Sequence, residues 1–324
     1  MQQEIRFATF NAYNLAPPGQ QLYDNLLPST AEEYEAKLNW TARQIDLLDA
    51  DVIGFQEIFS QAALREALSR TRRYRDAIHV GFDPDPAAER LTPSVALVSR
   101  LPLAAPGVAL GDFPAGVSMA AGTRDAERFS RDVIYAAVVV SPDVTVDVIV
   151  VHLKSQRPDY RNGDSSDDPL LFGMACLRSL VRRGTEAVAL RVLLTTMAHE
   201  NKRAQIVLGD FNDVADAVTT TMVMGAGATM PGRLFDAYQL QKGQDHLRHV
   251  GFSMLHAGNY TTIDHILVSE GFNPALPDAI GEVVDVVYLN DHLVLALPQA
   301  SDHGQVLARI RLFDETRGLS DAGV

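Results

Sequence analysis

The sequence predicts a mixed α/β fold, read as a single domain over residues 1–324. Three observations carry that prediction. Short apolar and β-branched runs recur along the whole chain and end repeatedly in polar clusters. The runs Val133–Val140 and Val144–Val151 are separated by Ser141-Pro142-Asp143, a hairpin signal that implies antiparallel neighbours. Helical patterns separate other runs, and helical crossovers allow parallel neighbours. Hairpins combined with crossovers give mixed sheets, not a purely parallel one. No Pro- or Gly-rich linker, low-complexity tract or repeat divides the chain.

Each element has its own local reason. Ile5–Phe10 alternates and meets Asn11. Ala31–Leu48 follows the caps Ser29-Thr30, carries early acids and repeats apolar residues at helical spacing. Asp51–Phe55 is a compact apolar run that meets Gln56-Glu57, and Ala62–Ser69 is a shorter helix. Ser94–Val98 precedes Ser99-Arg100, and the strand Val144–Val151 ends in His152-Leu153-Lys154-Ser155. Leu170–His199 reads as one long helix or two, with a break expected at Gly184. Ile206–Leu208 runs into Gly209-Asp210-Phe211-Asn212-Asp213, Thr262–Val268 carries Asp264-His265, and Val306–Leu312 follows Ser301-Asp302-His303. Gly111–Arg131 and Arg157–Pro169 lack periodicity and read as surface excursions.

Composition narrows the function classes. The net charge of −13 disfavours broad attraction to nucleic-acid phosphates, although a local basic site with a metal can work inside an acidic envelope. The single Cys176 excludes an intramolecular disulfide and reads as a small buried apolar residue. The first residues show no signal peptide, and no stretch is apolar and long enough to span a bilayer. A cytoplasmic protein is the expectation.

The chemistry gathers at the strand ends, where sheet edges often carry active sites. These ends supply Asn11, Glu57, His152, Lys154, Asp210, Asn212, Asp264, Asp302 and His303. Period two points Asp210 and Asn212 to the same side of their strand end, although Gly, Asp and Asn also make ordinary turns. Hard oxygens with two imidazoles and no thiolates suit Mg²⁺ or Mn²⁺ better than structural zinc. Asp264 is placed to fix the tautomer of an imidazole such as His303, with pairing to adjacent His265 as the alternative. The remaining histidines, including His199, His246, His249, His256 and His292, read as structural.

The ordered set Asn11, Gln56-Glu57, His152-x-Lys154-Ser155, Gly209-Asp210-x-Asn212, Ile263-Asp264-His265 and Ser301-Asp302-His303 resembles the endonuclease/exonuclease/phosphatase superfamily. The resemblance runs from Phe7 to about Arg311 and rests on the order of six individually weak motifs. It implies a four-layer sandwich of two packed mixed sheets flanked by helices, and metal-dependent hydrolysis of a phosphoester. By the same resemblance, Glu57 is the main metal ligand, with Asn11 and Asp302 beside it. Asp210 orients or deprotonates water, Asn212 holds water or phosphate, and His303 contacts phosphate with Asp264 behind it. His152 donates to a phosphate oxygen. Arg131 resembles the family's phosphate-binding arginine, with Arg124 and Arg128 as alternatives, and Lys154 and Ser155 complete the substrate contacts.

Departures narrow the substrate only by subtraction. Tyr13 stands where some members carry a second acidic ligand, the Pro-x-Trp-x-Asp-Arg motif is absent, and the one tryptophan, Trp40, lies in a helix. No aromatic platform for bases is evident. The expected activity is a Mg²⁺- or Mn²⁺-dependent phosphodiesterase, foremost a nuclease. The alternatives are a phosphatase or phosphodiesterase acting on a small molecule or lipid headgroup, and an inactive binding scaffold.

Overall fold

Alternation along the first strand sorts its side chains between two apolar layers. Ile5 and Phe7 face one, and Ala8 and Phe10 face the other, as a period of two requires. Neither face of this strand meets water, so it must lie inside a layered structure. The computed structural model describes residues 3–83, 91–118, 127–161, 163–225, 232–241 and 251–314.

The first sheet contains β1 (Glu4–Leu15), β2 (Val52–Ile58), β3 (Ile78–Gly81), β4 (Ser94–Ser99), β13 (Gly281–Leu289) and β14 (Gln305–Leu312), in the order β13-β14-β1-β2-β4-β3. The second contains β5 (Val108–Asp112), β6 (Arg128–Val139), β7 (Thr145–His152), β8 (Gln205–Asp210), β9 (Leu234–Asp236) and β12 (Asp264–Ser269), in the order β5-β6-β7-β8-β12-β9. Each sheet has one parallel pair at its centre, β1–β2 and β7–β8, and antiparallel pairs elsewhere. A small hairpin, β10 (Met254–His256) and β11 (Asn259–Thr261), stands apart.

The two sheets pack face to face through Phe7, Val52, Leu97, Val148, Val150, Leu208, Ile266 and Val306. At Gly54 there is no room for a side chain between them, since an added Cβ would lie 2.9 Å from Leu208 Cβ and 3.0 Å from Val150 Cγ1. Helices α1 (Ala31–Leu48) and α2 (Gln61–Ser69) cover the outer face of the first sheet with Leu38, Ile45, Leu64 and Leu68. Helices α3 (Pro169–Asn201) and α4 (Val218–Met224) cover the second with Ala187, Leu190, Leu194 and Val223. The expected four-layer sandwich of mixed sheets is thus the observed one. Two short helices, α5 (Ala237–Leu240) and α6 (Asp291–Leu295), lie before β10 and before β14.

Helix α1 begins where its chemistry says it should. Thr30 Oγ1 accepts from Glu33 N and Glu33 Oε2 accepts from Thr30 N, a complete capping box. Elsewhere the structure corrects the expectation. Helix α3 runs unbroken through Gly184. An interior glycine costs only about 1 kcal/mol, and the buried face around it (Arg183, Glu186, Ala187, Leu190) outweighs that. The supposed excursion Gly111–Arg131 contributes the end of β5 and the start of β6, while residues 119–126, Arg124 among them, lie outside the described residues. His246 and His249 also lie outside them. Cys176 is half-buried on α3, not fully buried. Among the described residues, no helix is long and apolar enough to cross a membrane.

Candidate active site

The parity that fills the space between the sheets also fills one end of it with polar groups. Ile206 and Leu208 of β8 face the opposing sheet, so Asp210 does as well; Val148 and Val150 of β7 carry the same parity to His152. Ile266 and Val268 of β12 set the direction of Asp264. Register then places His152 beside Asp210, and Asp210 beside Asp264, in a row across three strands. Asn11, from the first sheet, closes the row: its Nδ2 donates to Asp210 Oδ2 across the gap at 3.1 Å.

His303 completes the cluster from the loop before β14. Its Nδ1 lies 2.8 Å from Asp264 Oδ2, its Nε2 3.5 Å from Asn11 Nδ2 and 3.9 Å from Asp210 Oδ2. Ser301 holds this loop in place, because its Oγ donates to Asn11 O and accepts from His303 N. The adjacent His265 faces the other way, against Asp236 Oδ2 and Asp213 O, so it is not the partner of Asp264. Ser253 Oγ accepts from the backbone N–H groups of both Ile263 and Asp264 and fixes that strand start.

Backbone strain concentrates here. Tyr13, Asn14, Glu57 and Asn212 all have left-handed φ, between 51° and 59°. At Asn212 the turn is closed by its own N–H donating to Asp210 Oδ1 at 2.7 Å, while Asn212 Nδ2 donates to Leu153 O. Glu57 breaks the register of β2, and its Oε2 accepts from Asn14 N at 3.1 Å. Tyr13 N donates in turn to Asn11 Oδ1. These contacts tie Glu57 and Asn11 to one short segment of β1.

Burial and charge set the protonation states. Burial, then the neighbouring Asp264, push the Asp210 carboxyl above the usual carboxylate range, while His303 pulls the other way. Burial opposes charge on His303, but Asp264, Asp210 and Asp302 together hold it protonated well above the ordinary histidine range. His152 shows the reverse: burial, with Arg131 and His303 nearby, keeps it neutral.

The donor set fits a hard divalent cation. Asp210, Asp264 and His303 offer atoms all within 4.8 Å of one another. Asp264 Oδ1 and Asn14 Oδ1 are buried without a hydrogen-bond partner, a costly state that a cation or a donor relieves. Glu57 and Asn11, tied to one segment of β1, and Asp302 beside His303 add further hard oxygens of the kind such a cation takes.

Other predicted site residues are more peripheral. Asp302 is half exposed, with Oδ1 3.9 Å from His303 Nε2. Arg131 sits at the rim and donates to Leu153 O at 3.3 Å. Lys154 turns its ammonium to the carbonyls of Ser155 and Arg157 and to the hydroxyls of Ser155 and Ser179, which fastens the loop after β7. Its own N–H donates to Glu186 Oε2. One cation went unseen in the sequence. Lys37 of α1 lies over the rings of Tyr13 and Trp40 and donates to Ala300 O; burial draws its pKa down to about 8, against the pull of Asp302 and Glu57.

The family described as Endonuclease/Exonuclease/phosphatase matches residues 8–303, a span that begins in β1 and ends at His303 itself. The chain belongs to that family. Solved structures agree on the fold. A Bacteroides thetaiotaomicron protein of the family aligns with a TM-score of 0.61 at 14% identity, covering 97% of this chain and 96% of that one. The catalytic domain of human Nocturnin, solved with a bound sulfate anion, gives 0.60 at 17%, covering 96% and 98%. A Bacteroides thetaiotaomicron mannosyl-6-phosphatase gives 0.56 at 15%, covering 94% and 99%. No curated protein matches the sequence. Within this family of phosphoesterases, the substrates named for these neighbours belong to those proteins alone.

Proposed function

We propose that residues 1–324 act as one unit that hydrolyses phosphodiesters with Mg²⁺ or Mn²⁺, using water activated by Asp210. The observation that carries this reading is the buried row His152–Asp210–Asp264, closed by Asn11 and His303 across the gap between the sheets. A carboxylate raised by burial is a better base near neutral pH than an exposed one, and Asn212 N and Asn11 Nδ2 fix its two oxygens for the task. His303 keeps its Nδ1 proton on Asp264 and offers its Nε2 proton to a non-bridging phosphate oxygen. The second N–H of the Asn212 amide, His152 and the Arg131 guanidinium at the rim add donors for the same phosphate. Glu57, with Asn11 and Asp302 beside it, holds the cation, and Lys154 and Ser155 shape the loop that meets the substrate. A bound divalent ion neutralises phosphate charge and polarises the phosphoryl group.

A nuclease is the first reading, and a small-molecule or lipid-headgroup phosphoester the second. The net charge of −13 favours the second over any substrate bound through a long backbone track. The test is a screen of plasmid DNA, RNA, a chromogenic phosphodiester and a chromogenic phosphomonoester, each with Mg²⁺, with Mn²⁺ and with chelator. Turnover of a phosphodiester that chelator abolishes is the expected result. Hydrolysis unchanged by chelator contradicts the metal assignment, and no turnover of any phosphoester supports a scaffold.

A further inference from the structure

Helix α3 is apolar on two opposite faces. One face buries Ala175, Ala187, Leu190 and Leu194 within the protein. The other leaves Leu170 72% exposed, Met174 42%, Leu177 48%, Leu180 51%, Val181 50% and Val188 40%. A helix that is hydrophobic all round is normally covered all round. Among the described residues, nothing covers this second face.

Its pattern points to an occupant. Leu170, Met174, Leu177, Val181, Gly184 and Val188 follow spacings of four, three, four, three and four. Such a seam stays in line with a partner helix over less than three heptads. The spacing also reads the same in both directions about position 179. Two copies of α3 laid antiparallel on a two-fold axis therefore match Leu170 with Val188, Leu177 with Val181, and Met174 with Gly184. A two-fold interface requires this reciprocity, since each position must meet its counterpart twice. Large meets small at the Met174–Gly184 pair, and nothing lies within 4 Å of a Cβ built on Gly184. We infer that α3 is the interface of a homodimer, formed by antiparallel pairing of this seam between two copies of the chain.

Size and charge agree. From the exposed fractions, the seam with Leu180 beside it offers about 550 Å² per copy, or about 1,100 Å² per pair, at the lower limit for a specific interface. A lipid surface is a poorer occupant. The arginines beside the seam are engaged within the chain, Arg178 by Asp164 and Arg182 by Glu186, and the protein carries −13 overall. The proposal does not depend on the activity proposed above.

Sedimentation equilibrium of the full chain, with reductant present because Cys176 is a free thiol, tests it. The wild type is expected to be dimeric at about 50 μM, and Leu177→Glu monomeric at that concentration. Gly184→Leu adds a good helix former where a Cβ has room, so the fold is kept. It fills the hole for Met174 and weakens the dimer at least ~10-fold. Adding Met174→Ala to Gly184→Leu restores dimerisation, because the volumes are exchanged across the seam and these positions are too far apart to meet within one helix. A wild type that is monomeric at 100 μM, on the order of twice the test concentration, overturns the inference, as does flotation of monomers with neutral lipid vesicles. Failure of the double variant to recover, with helix content intact by circular dichroism, assigns any dimer to another surface and also overturns it.

Discussion

Gly54→Ala tests how closely the two sheets must approach to assemble the site. The new methyl would lie 2.9 Å from Leu208 Cβ, and 3.0 and 3.1 Å from the two Val150 methyls. Val150 can rotate its methyls away, but Leu208 Cβ is fixed to its backbone, so the sheets must separate locally by a few tenths of an ångström. Overpacking of this kind costs about 1–3 kcal/mol, against about 0.4–1 kcal/mol returned by a stiffer unfolded chain. The net loss is roughly 1–2 kcal/mol. With an unfolding entropy near 2 cal/mol/K per residue, a chain this long loses roughly 2–3 °C in Tm. The same displacement reaches the site, since Gly54 lies two residues before Gln56, which pairs with Asn11, and Leu208 lies two residues before Asp210. The 3.1 Å bond from Asn11 to Asp210 then lengthens, and kcat falls by about 10-fold or more with KM little changed. Thermal unfolding and steady-state kinetics on the same sample read both effects. Unchanged Tm and unchanged kcat would refute the claim that this contact sets the spacing of the site.

Three further outcomes are expected. Asp264→Asn removes the foremost of the charges that hold His303 protonated against burial, so the alkaline limb of the kcat profile moves to lower pH and kcat falls by ~10²-fold; a limb that stays in place contradicts the pairing. Glu57→Gln weakens Mn²⁺ binding at least ~10-fold in titration calorimetry while the fold is kept, and unchanged affinity removes Glu57 from the cation site. Ala257→Asn relieves a left-handed alanine, φ 49°, in the two-residue turn between β10 and β11, and raises stability by about 1 kcal/mol in urea unfolding.

Local chemistry and period two made much of this molecule legible before the fold was known. Ala31–Leu48 is bounded as expected because its capping box lies entirely within four consecutive residues, Thr30 to Glu33. Asp210, Asp264 and His152 gather because each continues the inward parity of its own strand, and that parity is visible in the sequence as alternation. What stayed hidden depends on residues distant in the chain. Lys37 meets Ala300 across most of the sequence, and Ser253 braces Asp264 from a separate loop; neither has a local signature. Gly184 does not break α3 because burial of one face of the helix overrides a weak local preference. The bonds from the Lys154 ammonium to the carbonyls of Ser155 and Arg157 likewise have no signature in the spacing of the motif.

The most direct measurement is kcat of Asp210→Asn on a phosphodiester at saturating Mg²⁺, with Mn²⁺ affinity and thermal unfolding recorded alongside. The account predicts a loss of ~10²–10⁴-fold in kcat with the fold retained and Mn²⁺ still bound through Glu57. Turnover equal to wild type would contradict Asp210 as the group that activates water.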